Sequence, residues 1–164
     1  MDNNDILIRL RYALEIKNKE MAEIFHLGGV EVTVPEVIKI LTKSDDDNEN
    51  DFQIICNNSM IDSFLNGFII FKRGKQEPKT GQSDTPEPVL QKSAKVNNLL
   101  LKKVKIALAL TTEDMLDIFE KAGIKVTKGE FSALLRKEGH KNYKECGDKF
   151  ARNFLKGLTI KYRG

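Results

Sequence analysis

The sequence predicts an all-α protein made of two tandem homologous four-helix domains joined by a flexible linker. Three observations carry this reading. The chain repeats itself, both copies place apolar residues at helical spacing in corresponding positions, and the stretch between them is rich in proline without apolar periodicity.

The repeat is seen by sliding the chain along itself. An offset of 94 pairs Asn3-Asn4 with Asn97-Asn98, Ala13-Leu14 with Ala107-Leu108, Met21 with Met115, Ile24-Phe25 with Ile118-Phe119 and Thr33 with Thr127. An offset of 90 then pairs Cys56 with Cys146 and FLNGFIIFKRG, at 64–74, with FLKGLTIKYRG, at 154–164. The period is too long for a solenoid. The copies span 1–74 and 96–164, and residues 75–95, which hold three of the four prolines, form the linker. A unit of about 70 residues buries only about 60% of its unfolded surface and is marginal alone, a size that favours mutual packing without fixing whether the copies dock.

Each element can be read twice. The first shows Ile6, Leu7, Leu10, Ala13 and Leu14 against Leu100, Leu101, Val104, Ala107 and Leu108, an i, i+3, i+4, i+7 stripe in both copies. The second carries Met21, Ile24 and Phe25 against Met115, Ile118 and Phe119, with Glu20, Glu23, Asp114 and Asp117 in its early turns, and should end near Gly28, Gly29 and Gly123. The third opens at a capping box, Thr33 with Glu36 and Thr127 with Glu130, and faces inward with Val37, Ile40 and Leu41 or Phe131, Leu134 and Leu135. The fourth runs from about 58 to 72 and 148 to 162, with Phe64, Leu65 and Phe68 or Phe154, Leu155 and Leu158 inward. Glycine inside a helix costs about 1 kcal/mol relative to alanine. Its presence at both Gly67 and Gly157 predicts close approach of another helix. Arg73 and Arg163 suit the negative end of the helix dipole, and Gly74 and Gly164 its termination.

The paired closing phrases, EMAEIFHLGGVEVT of the second element and RKEGHKNYKECGDKFARNFLKGL of the second copy together resemble the YehS-like family of duplicated bacterial proteins of unknown function. The resemblance covers nearly the whole chain apart from the linker, implies a cytoplasmic tandem-repeat protein, and brings no catalytic residues with it. The first copy departs from the second at SDDDNENDFQII, which lacks a counterpart of Tyr143 three residues before its cysteine.

Composition points the same way. Of 164 residues, 40% are hydrophobic and 31% charged, a soluble globular balance. The acidic start MDNND is no secretion signal, the most apolar run carries Lys102, Lys103 and Lys105, and two cysteines are too few for a disulfide framework. A cytoplasmic protein with reduced thiols and no membrane association is expected.

Chemistry-bearing motifs are weak. In the acidic loop Asp45, Asp47 and Glu49 alternate like calcium ligands, but Asn50 replaces the turn glycine and Cys56 the bidentate glutamate, so a solvated loop is the better reading. His26 and His140 do not align and have no zinc-spaced partners. Cys146, just ahead of the fourth element, could be a helix-activated thiolate beside His140. Cys56 holds the same place without such a histidine, which favours a small buried position for both. Glu20 with Glu23 and Asp114 with Asp117 are paired carboxylates three residues apart, explained by helix-start placement. A helix-turn-helix over 113–137 has too long a turn. No cofactor motif occurs, and no enzymatic activity is expected.

Charge is divided unevenly. Residues 1–74 carry 8 basic and 13 acidic residues, a net −5; residues 75–95 net +1; residues 96–164 carry 15 and 8, a net +7. The expectation is a non-catalytic binding protein with a macromolecular partner, a protein first and nucleic acid as the alternative through the basic copy. The candidate partner-binding residues are Lys128, Arg136, Lys137, His140, Lys141, Tyr143 and Lys144, clustered on and after the third element of the second copy.

Overall fold

In the computed structural model the described residues are 2–41, 54–74, 96–136 and 141–163. They form eight helices and no strand: α1 (Asn3–Leu14), α2 (Asn18–Leu27), α3 (Val34–Leu41) and α4 (Asn58–Arg73), then α5 (Val96–Ala107), α6 (Thr112–Lys121), α7 (Lys128–Leu135) and α8 (Asp148–Arg163). The all-α duplicated architecture read from the sequence is the observed one. No helix among the described residues is long and apolar enough to cross a membrane.

Local chemistry sets the helix limits. The Asp2 side chain caps α1 by accepting from Asp5 N, and Asn57 caps α4 by accepting from Met60 N. At the start of α3, Thr33 N donates to Glu36 Oε1 at 3.0 Å while Glu36 N donates to Thr33 Oγ1 at 3.3 Å, the reciprocal box expected there. In α7 the variation is small: Glu130 N donates to Thr127 Oγ1, and the hydroxyl itself donates to Glu130 Oε1. The first helix of each copy ends on a non-glycine residue in the left-handed region, Glu15 at φ 52 and Ala109 at φ 53. Ile16 N and Leu110 N then close the turn onto Arg11 O and Lys105 O.

The expected stripes are buried. Ile6, Leu7, Leu10 and Ala13 on α1 and Leu100, Leu101, Val104 and Ala107 on α5 join Met21, Ile24, Phe25, Met115, Ile118 and Phe119 in one core. Phe25 and Phe64 lie 4.9 Å apart between ring centroids, and Phe119 and Phe154 5.8 Å. The glycines inside α4 and α8 mark backbone contact. A Cβ at Gly67 would lie 1.9 Å from Ile24 O, and one at Gly157 2.0 Å from Ile118 O. At these glycines helix two therefore meets helix four of its own copy at backbone distance.

The copies do not pack as separate bundles. Within a copy the first and fourth helices barely meet; α1 lies instead against α8, and α5 against α4. This exchange creates two seams, each built from corresponding helices of the two copies. Arg73 Nη1 reaches across to Ile106 O at 3.2 Å, and Arg163 Nη1 to Tyr12 O at 3.1 Å. Tyr12 and Ile106 are corresponding residues, so each closing phrase clasps the free end of the other copy's first helix. The sequence suggested a role for these arginines toward their own helix; the structure adds this longer reach.

Candidate functional site

The two seams share an ancestry and differ in chemistry. At the α4/α5 seam, Lys103 Nζ lies 3.3 Å from Asp62 Oδ1 and also meets Asn66 Oδ1, with Lys103 7% and Asp62 6% exposed. Burial lowers the lysine's pKa, and the Asp62 carboxylate beside it opposes that shift. Leu99 is buried at the same seam, and Ile69 and Ile70 are half-buried. This seam is shut.

At the α1/α8 seam the corresponding residues are different. Arg9 stands in the place of Lys103, but Arg152 replaces Asp62, Lys156 replaces Asn66, Asp5 replaces Leu99 and Thr159 replaces Ile69. A basic side chain on the first helix here faces two further cations instead of an acid and an amide. Burying several like charges in a dry seam is costly, and all three side chains are exposed to water. Arg9 is held by Asp5 at 3.3 Å, with the two side chains 43% and 24% exposed. Arg152 and Lys156 are exposed and have no hydrogen bond or ion pair among the described residues.

The result is a groove of about 590 Å³. From α1 it is lined by Asp5, Ile8, Arg9 and Tyr12, and from α8 by Arg152, Asn153, Leu155, Lys156, Thr159 and Ile160. Cations lie toward one end of α8, while Tyr12 and Ile160, 55% and 40% exposed, bring apolar surface toward the other. The Arg163 guanidinium sits 4.2 Å from the Tyr12 ring centroid and 3.5 Å from Glu15 Oε1, closing that end. The groove can attract an anion and offer it an apolar floor.

The basic cluster expected on and after the third helix of the second copy lies elsewhere. Lys128, at the start of α7, pairs with Glu113 at 3.0 Å. Arg136 ends α7 and is exposed, as are Lys141 and Lys144; Tyr143 is half-buried. The Lys144 ammonium lies 5.6 Å from the Phe150 ring centroid, and its backbone N donates to Ala133 O. Lys137 and His140 fall outside the described residues, as do the linker, Gly164 and the acidic calcium-like stretch through Asp51. None of the described members of that cluster lines the groove.

The cysteines are fixed by a device the sequence displayed without explaining. Asn4 Oδ1 accepts from Cys56 N at 2.9 Å, and its Nδ2 donates to Ile40 O and Ile54 O at 2.8 and 2.7 Å. Asn3 Nδ2 donates to Cys56 O and Asn58 Oδ1. In the second copy Asn98 accepts from Cys146 N and donates to Leu134 O and Lys144 O, while Asn97 reaches Cys146 O and Asp148 Oδ1. Each asparagine pair ties the loop before helix four to the start of helix one. The signal for it was the exact recurrence of a polar pair at a helix start.

Both thiols are 2% exposed, and burial pushes each up to about 12, with Asp2 adding to the shift at Cys56 and Asp148 and Glu145 at Cys146. This agrees with the small buried position expected for both cysteines, since an activated nucleophile needs the opposite shift and access to substrate. The carboxylate pairs are also accounted for: Glu20 Oε1 accepts from Lys17 N, and Asp114 Oδ2 from Thr111 N. The Thr111 backbone and hydroxyl donors hold the Asp114 carboxyl below its ordinary value, whereas a general acid needs one raised. His26 is exposed near the end of α2.

This architecture, a duplicated helical unit with exchanged first helices and structural asparagine-cysteine loops, places the chain among tandem-repeat helical proteins. Residues 3–74 and 97–164 each match the family model described as a protein of unknown function, DUF1456, and the chain belongs to that family. It is similar to the uncharacterized protein YehS of Escherichia coli (strain K12), being 40% identical over 162 residues that cover 98% of this chain and 96% of that protein. No solved structure matches.

Proposed function

We propose that this is a non-catalytic binding module that engages a protein partner, in the cytoplasm, through surface that the two copies do not share. The observation behind this reading is the divergence of the two seams. What the copies have in common, including the asparagine pairs, the buried cysteines, the crossing glycines and the arginine clasps, is spent on packing. What they do not share includes the open groove and the charge of their surfaces.

The test is affinity purification of the intact chain, with and without nuclease, at two salt concentrations. A protein recovered equally after nuclease treatment supports the reading. Turnover in a substrate screen with no partner recovered would refute it.

A second reading, nucleic-acid binding through the basic copy, is favoured by its net +7 and by the exposed Arg136, Lys141 and Lys144. It requires nuclease-sensitive capture and affinity that falls with salt at a log-log slope of about −0.9 for each phosphate neutralised on duplex DNA. Lys141→Ala should reduce that slope. Salt-independent or absent binding would sink this alternative.

A further inference from the structure

We infer that the α1/α8 groove is the docking site for an acidic peptide segment carrying apolar side chains, an inference that rests on the protein-partner reading above. The motive is a comparison the molecule makes with itself. At the α4/α5 seam a buried aspartate and an asparagine satisfy Lys103. At the α1/α8 seam those two positions are Arg152 and Lys156, so the fourth helix supplies two cations where its counterpart supplies an acid and an amide, and Asp5 and Asp148 only partly offset the three basic side chains. Asp5 is already engaged by Arg9, and Asp148 acts on Arg152 from one turn earlier on α8, so neither Arg152 nor Lys156 makes an ion pair across the seam among the described residues. A segment with two carboxylates would restore the balance present at the other seam.

The apolar lining narrows the class. Ile8, Leu155 and Ile160 give the groove a floor that carboxylates alone do not use. From Arg152 to Ile160 the groove follows α8 for about 12 Å, at about 1.5 Å per residue. That length fits about four residues of extended chain, with acidic and apolar side chains adjacent. A nucleic-acid strand fits less well. It asks for stacking surfaces, while the one aromatic ring lining the groove, Tyr12, already carries the Arg163 guanidinium. The groove therefore uses charge to attract and apolar contact to retain, as peptide-binding clefts do.

The probe is a random peptide display library panned against the intact chain. Enriched peptides should place Asp or Glu next to Leu, Ile, Val or Phe. A synthetic peptide made from the enriched set should bind about tenfold more weakly to the Arg152→Glu/Lys156→Glu double variant. Both positions are exposed, so the variant should melt with the wild type. Lys141→Glu, outside the groove, should leave binding unchanged, and added salt should weaken it. Enrichment without acidic bias, or equal binding by the double variant, would overturn the inference, as would a single-stranded oligonucleotide that binds more tightly through the same two residues. A protein partner captured equally by wild type and double variant would overturn the groove assignment and leave the binding-module reading standing. Absence of both a protein partner and an enriched peptide would overturn both.

Discussion

Removing Lys103 should cost more than removing any exposed cation on this molecule, and the cost follows from what it leaves behind. Lys103→Met keeps the stem and deletes the charge, so Asp62, 6% exposed and 3.3 Å from the ammonium it loses, is left as an uncompensated buried carboxylate. Breaking a buried pair from one side costs about 3–5 kcal/mol. For a chain of this size each kcal/mol lowers Tm by about 2–4 °C, which gives a fall of about 6–20 °C. Adding Asp62→Leu should recover most of it, because an apolar pair of similar volume avoids the penalty of burying charge. The counterpart Arg9→Met, whose side chain is 43% exposed, should change stability by less than about 1 kcal/mol. The assay is thermal and urea unfolding of the three variants and wild type. A Lys103→Met cost as small as that of Arg9→Met, or no recovery in the double variant, would refute the contrast between a shut seam and an open one.

Other expectations concern the shared framework. Gly67→Ala should destabilise markedly in chemical unfolding, because its Cβ would sit 1.9 Å from Ile24 O and backbone must move; Gly129→Ala, with open space around it, should not. Asn98→Ala removes three hydrogen bonds around Cys146, each worth about 1 kcal/mol, and should lower stability by about 3 kcal/mol in urea titration. The thiols of Cys56 and Cys146 should resist alkylation at neutral pH until the chain unfolds. Since burial holds each thiol protonated up to about 12, against 9 as its ordinary value, the native state keeps protons that the unfolded state gives up. Stability is therefore full below pH 9 and declines through the interval to pH 12, and each cysteine replaced by alanine should shrink that alkaline loss in pH-dependent melts.

The helices were legible because each could be read twice. Ile6, Leu7 and Leu10 alone define a modest stripe, but agreement with Leu100, Leu101 and Val104 sets its phase, and Thr33 and Thr127 mark their helix starts by the same capping chemistry. The exchange of first helices was not legible, since an apolar stripe states that a face is covered and not which copy covers it. The groove was hidden for a related reason. Its cations come from Arg9 near one end of the chain and Arg152 and Lys156 near the other, whereas the expected cluster at 128–144 drew attention by its density along the sequence. The alignment did hold a usable signal. Asp62 opposite Arg152 reverses charge at a position on the buried flank of one helix, and such a reversal marks a place where two copies of one interface have parted.

The reciprocal clasps of Arg73 and Arg163 bear on why a duplicated chain differs from a pair of identical ones. In an exact homodimer every substitution occurs twice, so opening one seam for a ligand would open its twin and weaken the assembly that holds both. Joining the copies covalently frees the two interfaces from that constraint. One can be tightened as a hinge pin while the other is kept as a mouth, and the stability of the first underwrites the vacancy of the second.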